Sequence, residues 1–250
     1  MEAEYIKILQ DMNEFKELIN IQKDAWGFAG NDIVPLHIFK AAADLLKPNG
    51  IVLGYFLEEQ IVGFVMTLPT SNPKEVLAHI GGVYQKYHNR GIFYKLLFEM
   101  KKIMKTNNVE KIFGTYDPLE STNAYLYIRK LGGIATDHYM NYYGDIDSKL
   151  HHGLPTDRFR IEWILNDKVL ENIKNYNKEI NYDSEEIKYV DIPLNIQELK
   201  NKNLNEALEW RMKTRKLFDE YVTKQNFIVI DYITDLAIQK GIYVLKKFRK

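Results

Sequence analysis

Val83-Tyr84-Gln85-Lys86-Tyr87-His88-Asn89-Arg90-Gly91-Ile92-Phe93-Tyr94-Lys95-Leu96-Leu97 joins two patterns of different period. Upstream, residues 76–83 read as a β-rich run. Downstream, Ile92, Leu96, Leu97, Met100 and Ile103 recur at helical spacing. The polar turn between them puts Arg90-Gly91 at the start of the helix. The stretch is therefore strand, turn and helix N-terminus, where backbone N–H groups converge and the macrodipole is positive. An anion such as a pyrophosphate is the natural guest of that geometry. Many such turns only reverse the chain, so the spelling of this one matters.

Working outward, residues 5–9 alternate as a first strand. Asp11 and Glu14 then form a capping-box signature ahead of the apolar face Phe15, Leu18, Ile19 and Ile21. Trp26 to Asp32 reads as a turn with two large aromatics, and Pro35 opens a second helix that ends at Pro48-Asn49-Gly50. Residues 51–57 and 61–68 form a hairpin around Glu58-Glu59-Gln60. In the next strand, Gly81-Gly82 marks a bulge or a close backbone approach. After the helix beginning at Gly91, residues 111–116 form a strand. Asp117-Pro118-Leu119-Glu120 spells a helix start, and an aromatic-rich strand spans 134–143. The order β-α-α-β-β-β-α-β-α-β predicts a mixed α/β layer fold over residues 1–148. Residues 149–250 are expected to form a smaller α/β extension packing on it. In that extension a strand covers 159–165, polar residues 166–188 read as helix plus linker, a long helix covers about 205–222, and strands cover 227–233 and 242–245.

The 250 residues carry 34 Lys plus Arg against 34 Asp plus Glu, a formal net charge of zero. No sequence-wide charge points to nucleic acid or an anionic membrane. The chain has no cysteine, which removes disulfides, thiolate catalysis and Cys-ligated zinc. The acidic N-terminus shows no signal-peptide pattern and the apolar runs are short, so a soluble, cytoplasmic protein is expected.

The elements from Val83 to Gly144 resemble the GNAT superfamily of acetyl-CoA-dependent N-acyltransferases. His88-Asn89-Arg90-Gly91-Ile92-Phe93 stands where that family carries Gln/Arg-x-x-Gly-x-Gly/Ala, after a strand end matched by Val83-Tyr84-Gln85. Tyr116 to Glu120, Asn123-Ala124, Arg129 to Gly132, Asn141 to Gly144, Gly153 to Arg158, Glu162-Trp163, Trp210-Arg211 and Thr214-Arg215 look like one predicted-acetyltransferase branch of it, of undefined substrate. The spelling departs at several places. Phe93 replaces a small residue that lets the backbone approach the pyrophosphate, and His88 replaces Gln or Arg. Ile128 stands where a tyrosine often protonates the departing CoA thiolate, and Ser121 replaces an asparagine, with Asn123 two residues on.

The resemblance implies a mostly antiparallel sheet flanked by helices, and transfer of an acetyl or other acyl group from acetyl-CoA, or another acyl-CoA, to an amine of a small-molecule acceptor. No metal, nucleic acid or membrane is implied, and a homodimer is open. The alternative is a degenerate module that binds CoA without turnover. Expected cofactor-binding residues are Val83, Tyr84, Gln85, His88, Asn89, Arg90, Gly91, Ile92, Phe93, Ser121 and Asn123. A backbone N–H of Val83 or Tyr84 would polarise the carbonyl if the glycine pair splays the strand. Tyr127, one turn after Asn123, is the best substitute for the acid; the plainer reading is packing in a chain with 17 tyrosines. His79 and Asp117 are base candidates, also readable as a strand histidine and an N-cap. His151-His152 with Asp157 is a weak metal signal. Arg211 and Arg215 could clamp an anion, although Asp219 four residues after Arg215 favours a helix salt bridge. Trp26, Phe28, Tyr139, Tyr142 and Tyr143 could line an apolar pocket or fill a core.

Overall fold

A computed structural model describes residues 3–28, 30–144, 153–167 and 184–248. Two compact units divide between Phe113 and Gly114. The fold is mixed α/β, as the element order predicts, and its strands are mostly antiparallel in a sheet flanked by helices, as the GNAT resemblance implies.

In the first unit, β1 (Glu4–Ile8) leads to α1 (Met12–Trp26), whose capping box forms as its spelling requires: Asn13 N–H donates to Asp11, and Glu14 reaches back to the Asp11 N–H. Then follow α2 (Leu36–Asp44), β2 (Ile51–Leu57), β3 (Gln60–Pro69) and β4 (Glu75–Val83), α3 (Ile92–Thr106), and β5 (Lys111–Tyr116), which crosses the division. The strand order is β1-β2-β3-β4-β5; the first three junctions are antiparallel and β4–β5 is parallel. Alternating residues of β2 serve opposite faces. Phe56 joins Phe15, Phe39 and Phe64 in the core under α1 and α2, while Tyr55 faces Lys95 of α3. Phe39 stands edge-on to Phe64 at 5.7 Å.

In the second unit the order is β5-β7-β6-β9-β10-β8, with β6 (Ile134–Tyr139), β7 (Arg158–Ile164), β8 (Ile187–Pro193), β9 (Phe227–Asp235) and β10 (Lys240–Lys247). Its helices are α4 (Ser121–Ala124), which widens into a π turn at Tyr125–Lys130, α5 (Ile196–Lys202), and α6 (Leu204–Phe218), which widens at Asp219–Lys224. The core is aromatic: Phe159 lies 4.5 Å from Phe218 and 5.5 Å from Tyr243, and Tyr243 lies 4.9 Å from Tyr232.

Three expectations change. Asp117 to Glu120 is not a helix start: Asp117 Oδ1 accepts from the Leu119 N–H, closing a local turn, and α4 begins at Ser121. The strand β8 and helix α5 arise where the sequence read as polar linker or carried no pattern. The bulge in β4 lies at His79, which has no partner on β3, whereas Gly81 and Gly82 pair in register with Val65 and Phe64. Their role is the other one that glycine allows, close approach. A Cβ on Gly82 would lie 2.8 Å from the Trp26 ring, which belongs to the core with Phe28 and Phe64.

The tightest packing in the second unit is at Gly241, where a Cβ would sit 1.6 Å from the Tyr232 hydroxyl. Gly241→Ala must displace that ring and its hydrogen bond to Ser121. The expected cost is about 2 kcal/mol or more. Thermal denaturation checks it, with a fall in Tm of about 5 °C or more expected.

Candidate active site

In the first unit the candidate site begins at the outer edge of β4. Tyr84 donates its N–H to Val62 O at 3.0 Å. Antiparallel pairing alternates, so Gly82 and Ile80 also face β3, while Val83 and Gly81 turn their N–H and C=O groups to the other edge. Among the described residues, the parallel ladder between β4 and β5 covers only Glu75–Leu77 and Lys111–Phe113. The outward Val83 carbonyl meets His88 Nε2 at 3.0 Å, which seats the imidazole against the strand end. Of the two carbonyl-polarising donors expected, Tyr84 is therefore spent on β3 and Val83 is turned outward.

The turn is braced from α1. Gln85 donates its N–H to Asp24 Oδ2 at 2.6 Å and its side-chain amide to Asp24 O, and the Tyr84 hydroxyl donates to Glu17. Burial and the Glu17 carboxylate both hold the Tyr84 phenol well above its ordinary pKa. Gln85 is thus committed to α1 rather than offered to a ligand. Beyond it, Asn89 and Gly91 adopt left-handed φ values of 63° and 73°. Gly91 precedes α3, which has no side-chain cap and no acid in its first turn. Exposed Lys86 and Arg90 flank the Tyr87 ring at 4.9 and 5.2 Å. An uncapped helix N-terminus with two cations beside it suits a phosphate anion.

Phe93 does not burden this turn. A Cβ on Gly81 would come within 2.9 Å of Phe93 Cε2, so the ring lies back against β4 in space that Gly81 leaves. Ile92 is buried beside it. His79, the bulged residue, is exposed, yet desolvation by the surrounding protein lowers its pKa below the ordinary histidine value. It is a neutral imidazole with a lone pair to offer near neutral pH.

The second unit holds Asp117, Ser121, Asn123 and Tyr127. Asp117 is ion-paired: Arg211 Nη2 lies 2.5 Å and Arg158 Nη1 3.8 Å from its Oδ2. Burial works against its charge, but the two guanidinium groups and the Leu119 N–H hold the carboxyl below its usual range, which makes it a poor base. Ser121 is buried and accepts from the Tyr232 hydroxyl at 2.7 Å. Asn123 is half-exposed on α4. The Tyr127 ring stands edge-on to Tyr116 at 5.4 Å and to Trp163 at 5.5 Å, and burial raises its phenol well above the ordinary value.

Two groups escaped the sequence. Glu120, which read only as part of a cap, has its pKa raised by burial and by Asp117, and accepts from the Gln197 amide. Lys200 is buried, and desolvation lowers its pKa. The expected Arg215–Asp219 bridge is replaced by a fork: Arg215 Nε and Nη2 meet Asp157 at 2.9 and 2.5 Å, and Asp219 pairs with Lys224. Asp157 also takes the Asn141 N–H, so burial's upward pull is overcome and its pKa falls far below normal. His151 and His152 lie outside the described residues; among those described, no group of three or more His, Asp or Glu could hold a metal. No described helix is long and apolar enough to cross a membrane.

No family model and no curated protein matches the chain. Solved structures do. The ribosomal-protein-S18-alanine N-acetyltransferase of Escherichia coli aligns over 66% of this chain and 95% of its own, with a TM-score of 0.54 and 15% identity. A GNAT family acetyltransferase from Streptococcus pneumoniae aligns over 66% and 100%, with 0.53 and 16%. A putative acetyltransferase from Salmonella typhimurium, solved with acetyl-CoA, aligns over 66% and 95%, with 0.54 and 15%. The chain has the GNAT fold. The GNAT likeness leaves about a third of the chain unmatched. At this identity it speaks for the fold, and the chemistry rests on the residues above.

The Asp117–Arg211 pair gives a stability prediction. Arg211→Met leaves a largely buried carboxylate with only the Leu119 N–H and the more distant Arg158 guanidinium named above, and should cost about 3 kcal/mol. Asp219→Asn removes only a partly exposed pair and should cost less than about 1 kcal/mol. Urea unfolding of both variants checks the contrast.

Proposed function

We propose that this chain is an acyltransferase that moves an acetyl group, or another acyl group, from CoA to the amine of a small-molecule acceptor by direct attack. The observation that carries this reading is the outward Val83 N–H beside the uncapped α3 N-terminus. One offers a donor to a thioester or its pantetheine arm, the other a cradle for the pyrophosphate. Asn89, Arg90, Gly91, Ile92 and Phe93 supply that cradle, with Lys86 adding charge. The Salmonella neighbour, solved with acetyl-CoA, supports the choice of donor.

In this reaction the amine nitrogen bonds to the thioester carbonyl carbon, and the oxygen gathers charge that a backbone N–H can meet. The C–S bond breaks as the carbonyl reforms. The proton lost by nitrogen goes to a base, and the thiolate takes a proton. His79 is the base we favour over Asp117, because its lone pair is free near neutral pH while Asp117 is held by two arginines. Ser121 and Asn123 remain cofactor-binding candidates from the GNAT pattern, with Asn123 the more accessible. Tyr127 remains the acid candidate.

A second reading, CoA binding without turnover, draws on Tyr127. Its ring is wedged between two aromatics, and a phenol raised so far above its ordinary value is a weak acid.

Calorimetry with CoA tests the common part. Binding in the micromolar to millimolar range is expected, weakened roughly fivefold in Arg90→Ala, since an exposed ion pair with a phosphate is worth up to about 1 kcal/mol. No heat at millimolar ligand would sink both readings. Thiol release across an amine panel then separates them: transfer predicts turnover that Tyr127→Phe slows by roughly tenfold or more, whereas silence across the panel favours the binding module.

A pH profile tests His79. A base whose pKa is depressed stays unprotonated to lower pH, so the acid limb of kcat/KM should lie below about 6.5. In His79→Gln that limb should vanish while CoA binding persists. An unchanged limb in the variant removes His79 from the mechanism.

A further inference from the structure

The second unit encloses a cluster of ions whose signs do not balance. Asp117 Oδ2 meets Arg211 Nη2 at 2.5 Å and lies 3.8 Å from Arg158 Nη1. Asp157 takes the Arg215 fork and feels the Arg211 charge as well. Glu120 and Lys200 feel each other's charge and those of Asp117 and Arg211. Among the described residues the cluster joins four cations to three carboxylates, an excess of one positive charge. Desolvation draws Glu120 and Lys200 toward their neutral forms, which removes one ion of each sign and leaves the excess unchanged. A protonated His138, 3.7 Å from Asp157, would add to it. A second observation sits at the same place. Arg211 is 1% exposed, and its Nε–H is buried with no acceptor. Buried donors are ordinarily satisfied, so this one stands ready for an incoming acceptor. The cluster reaches the surface beside the connection from β6 to β7. The Asp117 side chain keeps 14% of its surface exposed, and the Arg158 guanidinium lies 5.0 Å from the Tyr143 ring centre. Tyr143 stands edge-on to Tyr142 at 4.8 Å, and both rings are half-exposed.

We infer that this cluster is a binding site for a small aromatic monocarboxylate, its carboxylate held by Arg211 and Arg158 and its ring laid against Tyr142 and Tyr143. Three features choose that class. An excess of one positive charge is met by a monoanion, whereas a phosphate dianion would overshoot it. The waiting donor belongs to a guanidinium, whose planar, directed N–H groups match a carboxylate better than a spherical halide. The two half-exposed rings beside Arg158 favour a flat apolar body, which a simple anion lacks. Asp117 keeps its place as the shared counter-ion, and the incoming carboxylate supplies the acceptor that Arg211 Nε lacks. The site makes no use of CoA, so it stands or fails separately from acyl transfer.

Calorimetry of the full chain with benzoate, at fixed ionic strength, gives the affinity, and the Arg211 Nε–H resonance gives the place. Benzoate should bind with a Kd of about a millimolar or tighter and move that resonance saturably. Benzamide, the same shape without the charge, should bind roughly tenfold more weakly, because a hydrogen bond to a charged partner is the stronger one. Acetate, the charge without the ring, should also bind several-fold more weakly than benzoate. Arg211→Lys keeps a cation for Asp117 and removes Nε; checked for folding by circular dichroism, it should lose roughly tenfold or more in benzoate affinity. Tyr143→Ala, at an exposed position, tests the ring subsite on a variant that keeps both arginines: benzoate should weaken by about fivefold while acetate is unaffected. No saturable response of the native protein at about 20 mM benzoate overturns the proposal. So does a folded Arg211→Lys variant that binds benzoate as the native chain does. Chloride or phosphate that matches benzoate would show an adventitious anion only and overturns the assigned class. Benzoate that binds while leaving the Arg211 resonance still places the ligand elsewhere and counts against it as well.

Discussion

The hydrogen bond from the Tyr84 N–H to Val62 O sets the phase of the end of β4, and the candidate site follows from that phase. A slip of one residue would turn Tyr84 outward and bury the Val83 donor, because strand faces and edges both alternate with period two. The brace from α1 protects the phase: Glu17 takes the Tyr84 hydroxyl, and Asp24 takes both donors of Gln85. Gly81 keeps the strand close to Phe93, and the Gly82 backbone lies under Trp26. With the strand end held, His88 rests on the Val83 carbonyl and α3 starts with its first N–H groups uncapped. These contacts brace the turn before any ligand arrives, as the proposed CoA cradle requires.

The second unit solves a different problem. Its β5–α4 connection brings Asp117 and Glu120 into the protein, where an unpaired carboxylate would cost several kcal/mol. Asp117 is offset by Arg211 and Arg158, while Glu120 shifts toward its neutral form and borrows the Gln197 amide. These partners come from α5, α6 and β7, so the extension's helices complete the electrostatics of a segment far earlier in the chain. Asp157 and Arg215 do the same for the connection between β6 and β7, with Asn141 and Thr156 closing the loop.

Much of this was legible in residue order. The capping box, the hairpin, the helix after Gly91 and the ten-element order follow from periodicity and turn chemistry, which act over a few residues. What failed depended on distant partners. The glycine pair allowed a bulge or a close approach; the bulge lies two residues earlier at His79, and close approach is what Gly81 and Gly82 supply, to Phe93 and Trp26. Asp117 looked like an N-cap because its spacing to Pro118 and Glu120 is right; Arg211, far along the chain, and the local turn decide its role. Arg215 had an obvious helical partner in Asp219 and chose Asp157, where a fork forms in a buried place. β8 was missed because its residues alternate with Lys188, Tyr189 and Asp191, a weak signal for an edge strand.

The most direct measurement of the central claim is a titration of CoA followed by backbone amide resonances. The account predicts saturable shifts at Val83 and from Asn89 to Tyr94, with Tyr84 and Gln85, whose N–H groups are already bonded, moving little. CoA that binds while perturbing other parts of the chain and leaving Val83 and the α3 N-terminus still would contradict it.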